Sequence, residues 1–289
     1  MRIAFLGSPD SWYCHDLARA AGDRHEMIAC PFAAMRSTIR QDGATFTAGE
    51  VPLDEIDCLL VRTMAPGSLE QVVFRMDMLA RLAASGKLVI NPPAAVECAV
   101  DKYLATARLQ AAGLTVPTTV VCQGVDEAMA AFDTLGGDVV LKPVFGSEGR
   151  GITRITDEAF ALRAFKLLTE LRSLSYLQRF VPHHGYDIRV LVIGEEMLAM
   201  RRHNADDWRT NISRGARGEA YELSEDERRM ARVAAEAIGA PLAAVDLLPG
   251  CDGRLYALEV NAVPGWRALA GVLGIDVSGR VLEFLEGMR

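Results

Sequence analysis

What this chain does without narrows its function early. It carries no excess of basic charge: 31 Lys and Arg stand against 38 Asp and Glu, a formal net charge of -7. It therefore lacks the cationic footprint a general nucleic-acid binder needs. Its six cysteines, Cys14, Cys30, Cys58, Cys98, Cys122 and Cys251, include no CxxC pair, which fits thiols used as small core residues in a reduced, cytoplasmic protein. No apolar stretch approaches the roughly 20 residues of a membrane span, and the start MRIAFLGSPD turns polar too soon for a secretory signal. Nucleic acid and membrane are thus not expected as partners. There are no repeats and no low-complexity linkers.

What is present is a chain of 289 residues, half of them hydrophobic, long enough for two or three lobes with real cores. The first third alternates strand and helix. RIAFLG reads as a strand, HDLARAAG as a helix, IDCLLVRT as a buried strand, and KLVINPP as a strand stopped by prolines. Ser68 and Gln71 form a capping box for a helix running to about Ser85. The alternation predicts a parallel sheet flanked by helices, but GSPDSW lacks GxGxxG, which argues against a dinucleotide-using dehydrogenase. From residue 97 we expect an amphipathic helix to Gly113, the extended segment TVPTTVV, and a helix over VDEAMAAFDTLGG. Strands DVVLKP and ITRI flank the loop FGSEGRG, and a helix at about 157–172 precedes SYLQRFV. In the last third, DIRVLVIGEEMLAMRR turns at Gly194 and Glu195. Ser224 and Glu227 cap a further helix.

The segment LYALEVNAVPGW places Glu259 and Asn261 two apart in an apolar run. Strand periodicity turns them to one face with Ala257, and Leu258 and Val260 to the other. In the preceding strand, LAAVDLL, Asp246 interrupts the apolar run in the same way. Pairing Leu248 with Leu255 across the PGCDGR turn sets Asp246 opposite Ala257 and diagonal to Glu259. Three oxygen donors on one face suit Mg²⁺, which completes its shell with water and phosphate oxygens. No Cys or His lies near enough to suggest structural zinc.

A magnesium of this kind expects phosphates. FGSEGRG supplies Gly146, Gly149 and Gly151, where backbone N–H groups can approach an anion, although GK[ST] is absent. Lys142, at an apolar strand end, needs an anion nearby; Lys102 starts a predicted helix. Residues 201–217 hold five arginines. Of these, Arg201 or Arg202 and Arg209 are expected to bind anions, while the outer ones pair with Asp206 and Asp207 in a solvated loop. His183 and His184 read as solvated loop residues.

Taken in order, DKYLATARLQAAGLTVP, VVLKPVFGSEGRGI, LQRFV, YDIRVLVIG, WRTNISRG, VDLL and LEVNAVPG resemble the ATP-grasp ligases, and most closely the RimK-type glutamate ligases. The match covers roughly residues 90 to 280. The resemblance implies an α/β (α+β ATP-grasp) fold: a Rossmann-like domain over 1–95, a central lobe with the glycine-rich loop over 96–175, and a C-terminal lobe with the metal site over 176–289. It implies that Lys102 and Lys142 bind phosphate, that the hinge Gln178, Arg179, Phe180 and Val181 holds adenine, and that Asp187 lies near the ribose. Arg209 and Asn211 match an element beside the phosphates, and Asp246, Glu259 and Asn261 match metal ligands. Two positions depart from the family: Arg179 replaces a glutamate in the hinge, and Val263 replaces a serine.

The expected activity is that of an ATP-dependent carboxylate–amine ligase acting through an acyl-phosphate. ATP and Mg²⁺ serve as cofactors, with two ions expected and Mn²⁺ an alternative. Arg209, Arg202 and Lys142 are the expected catalytic cations. The partners implied are a small-molecule carboxylate acceptor and an amino acid, glutamate above others, with a homo-oligomer common in the family. Ligation of another amino acid, ligation to a protein C-terminus, and nucleotide binding without catalysis are the alternatives.

Overall fold

The computed structural model describes residues 1–63, 65–146 and 150–288. The chain opens with β1 (Arg2–Leu6), α1 (Trp12–Ala21) and β2 (Glu26–Cys30). An antiparallel trio follows, β3 (Met35–Arg40), β4 (Gly43–Ala48) and β5 (Val51–Pro52). Then come β6 (Cys58–Val61), α2 (Leu69–Ala84) and β7 (Leu88–Ile90). The expected parallel sheet is present in the order β2-β1-β6-β7. Its inner strands β1 and β6 are short and almost fully buried, the signature of a sheet covered on both faces, while β2 is a partly exposed edge. The capping box of Ser68 and Gln71 starts α2 as expected.

The helix expected over residues 97–113 is two helices, α3 (Pro93–Val100) and α4 (Lys102–Ala111). Asp101 breaks the run with an extended backbone and caps α4, accepting from the N–H groups of Tyr103 and Leu104. An Asp that caps competes with helix continuation, which is why amphipathic periodicity alone misses the break. Next come β8 (Thr119–Cys122), α5 (Val125–Thr134), β9 (Val139–Lys142), β10 (Thr153–Ile155), α6 (Glu158–Glu170) and β11 (Ser175–Arg179). These strands form an antiparallel sheet, β10-β9-β11-β8. Phe132, Phe165 and Leu177 close a small core that belongs to this lobe alone.

The last sheet, β14-β13-β12-β15-β16, uses β12 (Tyr186–Ile193), β13 (Glu196–His203), β14 (Arg217–Ala220), β15 (Leu242–Pro249) and β16 (Leu255–Asn261). β12 and β13 turn at Gly194 and Glu195 as expected; Gly194 has a φ of 57°, which a turn of this kind requires. α7 (Glu225–Ile238) starts at the Ser224–Glu227 capping box and buries Ala231, Ala234, Ala235 and Ile238 against this sheet. α8 (Arg267–Leu273) and α9 (Val277–Gly287) finish the chain and pack with α1 and β14. The same core that holds α7 also holds Leu79 and Val89, so the first and last sheets are packed as neighbours.

The β15/β16 register differs from expectation. Leu248 pairs with Tyr256 and Leu247 with Ala257, then the ladder shifts, and Asp246 pairs with Glu259. Leu258 is the extra residue of a β-bulge. A regular ladder from this turn would pair Asp246 with Leu258; the bulge restores the carboxylate pair. It also reverses two facing assignments. Ala257 joins the buried core with Val260, and Leu258 turns into the cleft beside Glu259.

Candidate active site

Between the central and C-terminal sheets lies a cleft of about 730 Å³. One wall is a row of cross-strand pairs on a single face of the C-terminal sheet. Arg202 on β13 stands opposite Asp187 on β12. Two residues on, Arg189 stands opposite Asp246 on β15, and Asp246 stands opposite Glu259 on β16. Alternation of strand side chains makes such a row from residues spaced by two.

The row is tightly paired. Arg202, 3 % exposed, bridges Asp187 in a bidentate contact and reaches Asp246 at 2.9 Å. Arg189 holds Asp246 from the other side at 3.1 Å. Burial pushes the Asp246 carboxyl up, but the two arginines outweigh it and the net direction is down. Burial would likewise lower Arg202, and its two carboxylates overturn that and raise it. Arg189 was not singled out in the sequence, although its spacing from Asp187 in YDIR was a readable signal. Arg201 points to the opposite face, where it pairs with Glu219 and lies over Tyr186.

Opposite the row stand the lysines. Lys142, at the end of β9, donates to Gln178 Oε1 at 2.6 Å. Burial lowers its pKa to about 8; Glu259 and Asp246 oppose that shift and Lys102 adds to it. Lys102 begins α4, donates to the Gly146 carbonyl at 2.6 Å, and lies 3.9 Å from Glu259. Gly146 thus offers its carbonyl to a lysine. Gly151 closes the loop in a left-handed conformation with a φ of 73°. Gly149 lies outside the described residues.

The far end of the cleft is aromatic. Phe180 and Trp208 meet edge to face at 5.8 Å, His183 tilts against Phe180, and Arg154 stacks 3.5 Å from the Phe180 ring while paired with Asp138. Gln178, Arg179 and Val181 line this end with them. His183 is therefore a half-buried wall residue rather than a solvated one, and burial lowers its pKa. Trp208 is a further wall residue, a role that a lone tryptophan in a loop does not signal locally.

Arg209 and Asn211 line the cleft mouth. Arg209 pairs with Asp207 at 2.7 Å and donates to the Ile152 carbonyl at 3.3 Å. Asn204 shapes this loop, accepting from Asp206 and Asp207 and donating to the Arg209 carbonyl. Asn261 sits past Glu259 at the strand end, its Oδ1 accepting from Val263 N at 2.8 Å.

The donor set fits a hard divalent cation. Asp246, Glu259 and Asn261 would each ligate through oxygen, and among the described residues Glu259 has just the loose Lys102 contact to satisfy it. Among the described residues no cluster of three or more His, Cys, Asp or Glu is present. The protein alone would leave a shell open, as Mg²⁺ with its waters and phosphates requires.

Residues 99–285 match the model of the RimK-like ATP-grasp domain. The chain belongs to the RimK-like ATP-grasp family. It is 31 % identical over 317 aligned positions to tetrahydromethanopterin:alpha-L-glutamate ligase of Methanosarcina acetivorans, covering 98 % of both chains. It is 26 % identical to a probable alpha-L-glutamate ligase of Legionella pneumophila, covering 99 % of this chain and 95 % of that one. The ATP-grasp ligase PsnB, solved with a minimal precursor, superposes with a TM-score of 0.78 at 23 % identity, over 99 % and 98 % of the two chains. The RimK-domain ATP-grasp protein of Sphaerobacter thermophilus superposes at 0.76 and 24 %, over 98 % and 99 %. With its family fixed, the chain is an ATP-grasp ligase joining a carboxylate to an amine. Among the described residues no helix is long and apolar enough to cross a membrane.

Proposed function

We propose that this ligase joins L-glutamate through its amino group to a small-molecule carboxylate, using ATP. The observation that carries the reading is the charge layout of the cleft. Lys102, Lys142, Arg189 and Arg202 face Asp187, Asp246 and Glu259, with an aromatic slot at the other end. Cations in excess suit a polyphosphate, and flat apolar walls suit a base. Relatives along the whole chain are named glutamate ligases, which supports glutamate as the amine.

In this reading the hinge Gln178, Arg179, Phe180 and Val181 holds adenine, and Asp187 supports the ribose end through Arg202. Lys102 and Lys142 hold the phosphates, with Gly146 and Gly151 setting the loop over them. Asp246, Glu259 and Asn261 would hold Mg²⁺, as two ions or with Mn²⁺ instead, which would neutralise phosphate charge during transfer. The acceptor carboxylate oxygen attacks the γ-phosphorus and ADP leaves. The amine nitrogen then attacks the acyl carbon, loses a proton, and expels inorganic phosphate. Lys142, Arg202 and Arg209 stabilise the negative charge that moves through these steps. In this reading the domains are 1–95, 96–179 and 180–289; the expected boundary at 175 moves to 179 because β11 pairs within the central sheet.

The test is ADP release from Mg-ATP with and without L-glutamate, in a small-molecule cell extract that supplies acceptors. ADP that depends on the extract and rises with glutamate supports the proposal, and mass spectrometry then names the product. Extract-dependent ADP that ignores glutamate but follows another amino acid would replace the amine. Failure to bind ATP would end the reading.

A further inference from the structure

Arg62, the first residue after β6, is only 5 % exposed. Its Nη2 donates to the Pro264 carbonyl at 2.6 Å, but Nε and Nη1 are buried without an acceptor among the described residues. The guanidinium carbon lies 4.1 Å from the centre of the Trp266 ring and 4.9 Å from that of Tyr13. Burial lowers its pKa to about 10, and Tyr13 alone acts in the other direction. The equally buried Arg202 has two carboxylates against it; among the described residues Arg62 has none. The two rings and the Pro264 carbonyl offset part of the lost hydration, but two buried N–H groups without an acceptor remain costly, and a further partner would relieve that cost.

The position of Arg62 says what that partner is. In the order β2-β1-β6-β7, the chain leaves β1 towards β2 on one side, while β6 and β7 lie on the other. The connections diverge between β1 and β6, and open parallel sheets take ligands in the crevice beyond the carboxyl ends at such a point. Arg62 N donates to Leu6 O at 2.9 Å, at the end of both strands. α1 begins beyond the same end, and its N-terminal dipole favours an anion there. Ser8, Pro9, Asp10 and Thr63, which follow the carboxyl ends of β1 and β6, are exposed. On the other side, Pro264 follows Asn261 by three residues, which ties Arg62 to the chain leaving the metal face. Gly265 lets Tyr13 close on this segment, since a Cβ there would stand 2.7 Å from the Tyr13 hydroxyl.

We propose that Arg62 anchors a substrate carboxylate at this end of the sheet, through the N–H groups that have no acceptor among the described residues. The proposal rests on the ligase reading and names a second part of its substrate site, since one of the two ligated molecules brings the carboxylate. A single planar guanidinium between aromatic rings matches a planar carboxylate; a phosphate would call for further cations.

Calorimetric titration of the full chain with L-glutamate, with and without Mg-ADP, compares wild type with Arg62→Lys and Arg62→Met. If the amino acid supplies the carboxylate, the glutamate dissociation constant rises about tenfold or more in both variants, while Mg-ADP affinity stays unchanged. If the acceptor supplies it, glutamate affinity holds, and glutarate titrated over saturating L-glutamate loses its binding in both variants. In the unmutated protein the Arg62 Nε–H resonance, identified by its loss in Arg62→Lys, should shift with the ligand that binds. That readout does not depend on how the variants fold. Unchanged affinity for both carboxylates with an unmoved resonance, or no carboxylate binding by the wild type, would overturn the proposal and leave Arg62 a structural cation beside a buried water. Failure of the wild type to bind Mg-ADP would count against the ligase reading instead, and the nucleotide-free titration would still decide on Arg62.

Discussion

Asp246 stands directly opposite Glu259 across β15 and β16, and Leu258 is the residue that makes this so. Without the bulge the carboxylates would lie on opposite faces of the sheet. The two are not equivalent. Asp246 is 8 % exposed and held by Arg189 and Arg202. Glu259 is half-buried and, among the described residues, has one ion-pair contact, to Lys102 at 3.9 Å.

Glu259→Gln should therefore separate chemistry from stability. ADP formation at saturating ATP is expected to fall about 100-fold or more, while the melting temperature stays within a degree or two because little pairing is lost. Asp246→Asn should cost both, since it leaves Arg189 and Arg202 short of a carboxylate. Paired thermal melts and ADP assays check this. Wild-type turnover in both variants would make the pair only an acidic patch.

The local parts of this structure were legible and the cross-strand parts were not. Both capping boxes and the Gly194 turn were read correctly because each is decided within four residues. The carboxylate register was missed because a bulge depends on how two strands pack, not on either sequence alone. The face of Asp246 and Glu259 was read correctly even so, because both interrupt apolar runs. Arg189 and Trp208 escaped for a related reason. The YDIR spacing sets Arg189 on the face of Asp187, but its pairing with Asp246, like that of Trp208 with Phe180, exists only in the folded chain. Residues 26–52 gave no readable pattern, as β2 to β5 are short and partly exposed strands.

If Asp246 holds the metal as proposed, Arg189, 3.1 Å from its carboxylate, would compete with the ion for it. Arg189→Met should lower the Mg²⁺ concentration for half-maximal ADP release several-fold, since a carboxylate freed of its arginine is a better ligand. The same loss of a cleft cation should raise the KM for ATP by about tenfold. Magnesium titration at fixed ATP measures the first effect and ATP titration at saturating magnesium the second. A higher magnesium requirement would mean that Arg189 positions Asp246 for the ion.

Ser224→Ala offers a control far from the chemistry. Ser224 caps α7, with Glu227 accepting from its N–H at 2.7 Å. Losing the cap should cost about 1 kcal/mol and lower the melting temperature by about 2 °C. The KM for ATP should not move, and a change there would tie α7 to cleft geometry.

Lys142 gives the site a pH limb whose direction is fixed. Its pKa falls from 10.5 to about 8 through burial, so the free protein loses this charge as pH rises through about 8. Nucleotide affinity should weaken over that range, and kcat/KM for ATP with it. Bound phosphate favours the charged form and raises the pKa, so the limb in kcat should lie at higher pH than the limb in kcat/KM. The stability effect has the opposite sign. The folded pKa lies below the unfolded one, so the unfolded chain binds the extra proton between about 8 and 10.5. The penalty for burying the charge is full below pH 8 and fades as pH rises across that window. Lys142→Met should therefore melt higher than wild type at pH 7 without nucleotide, and should bind ATP about 100-fold more weakly. Melts at pH 7 and pH 10, with ATP titrations at both, test the two signs together. A Lys142→Met protein that is less stable at pH 7 would show that the lysine is held by Gln178 and the acids rather than strained by burial.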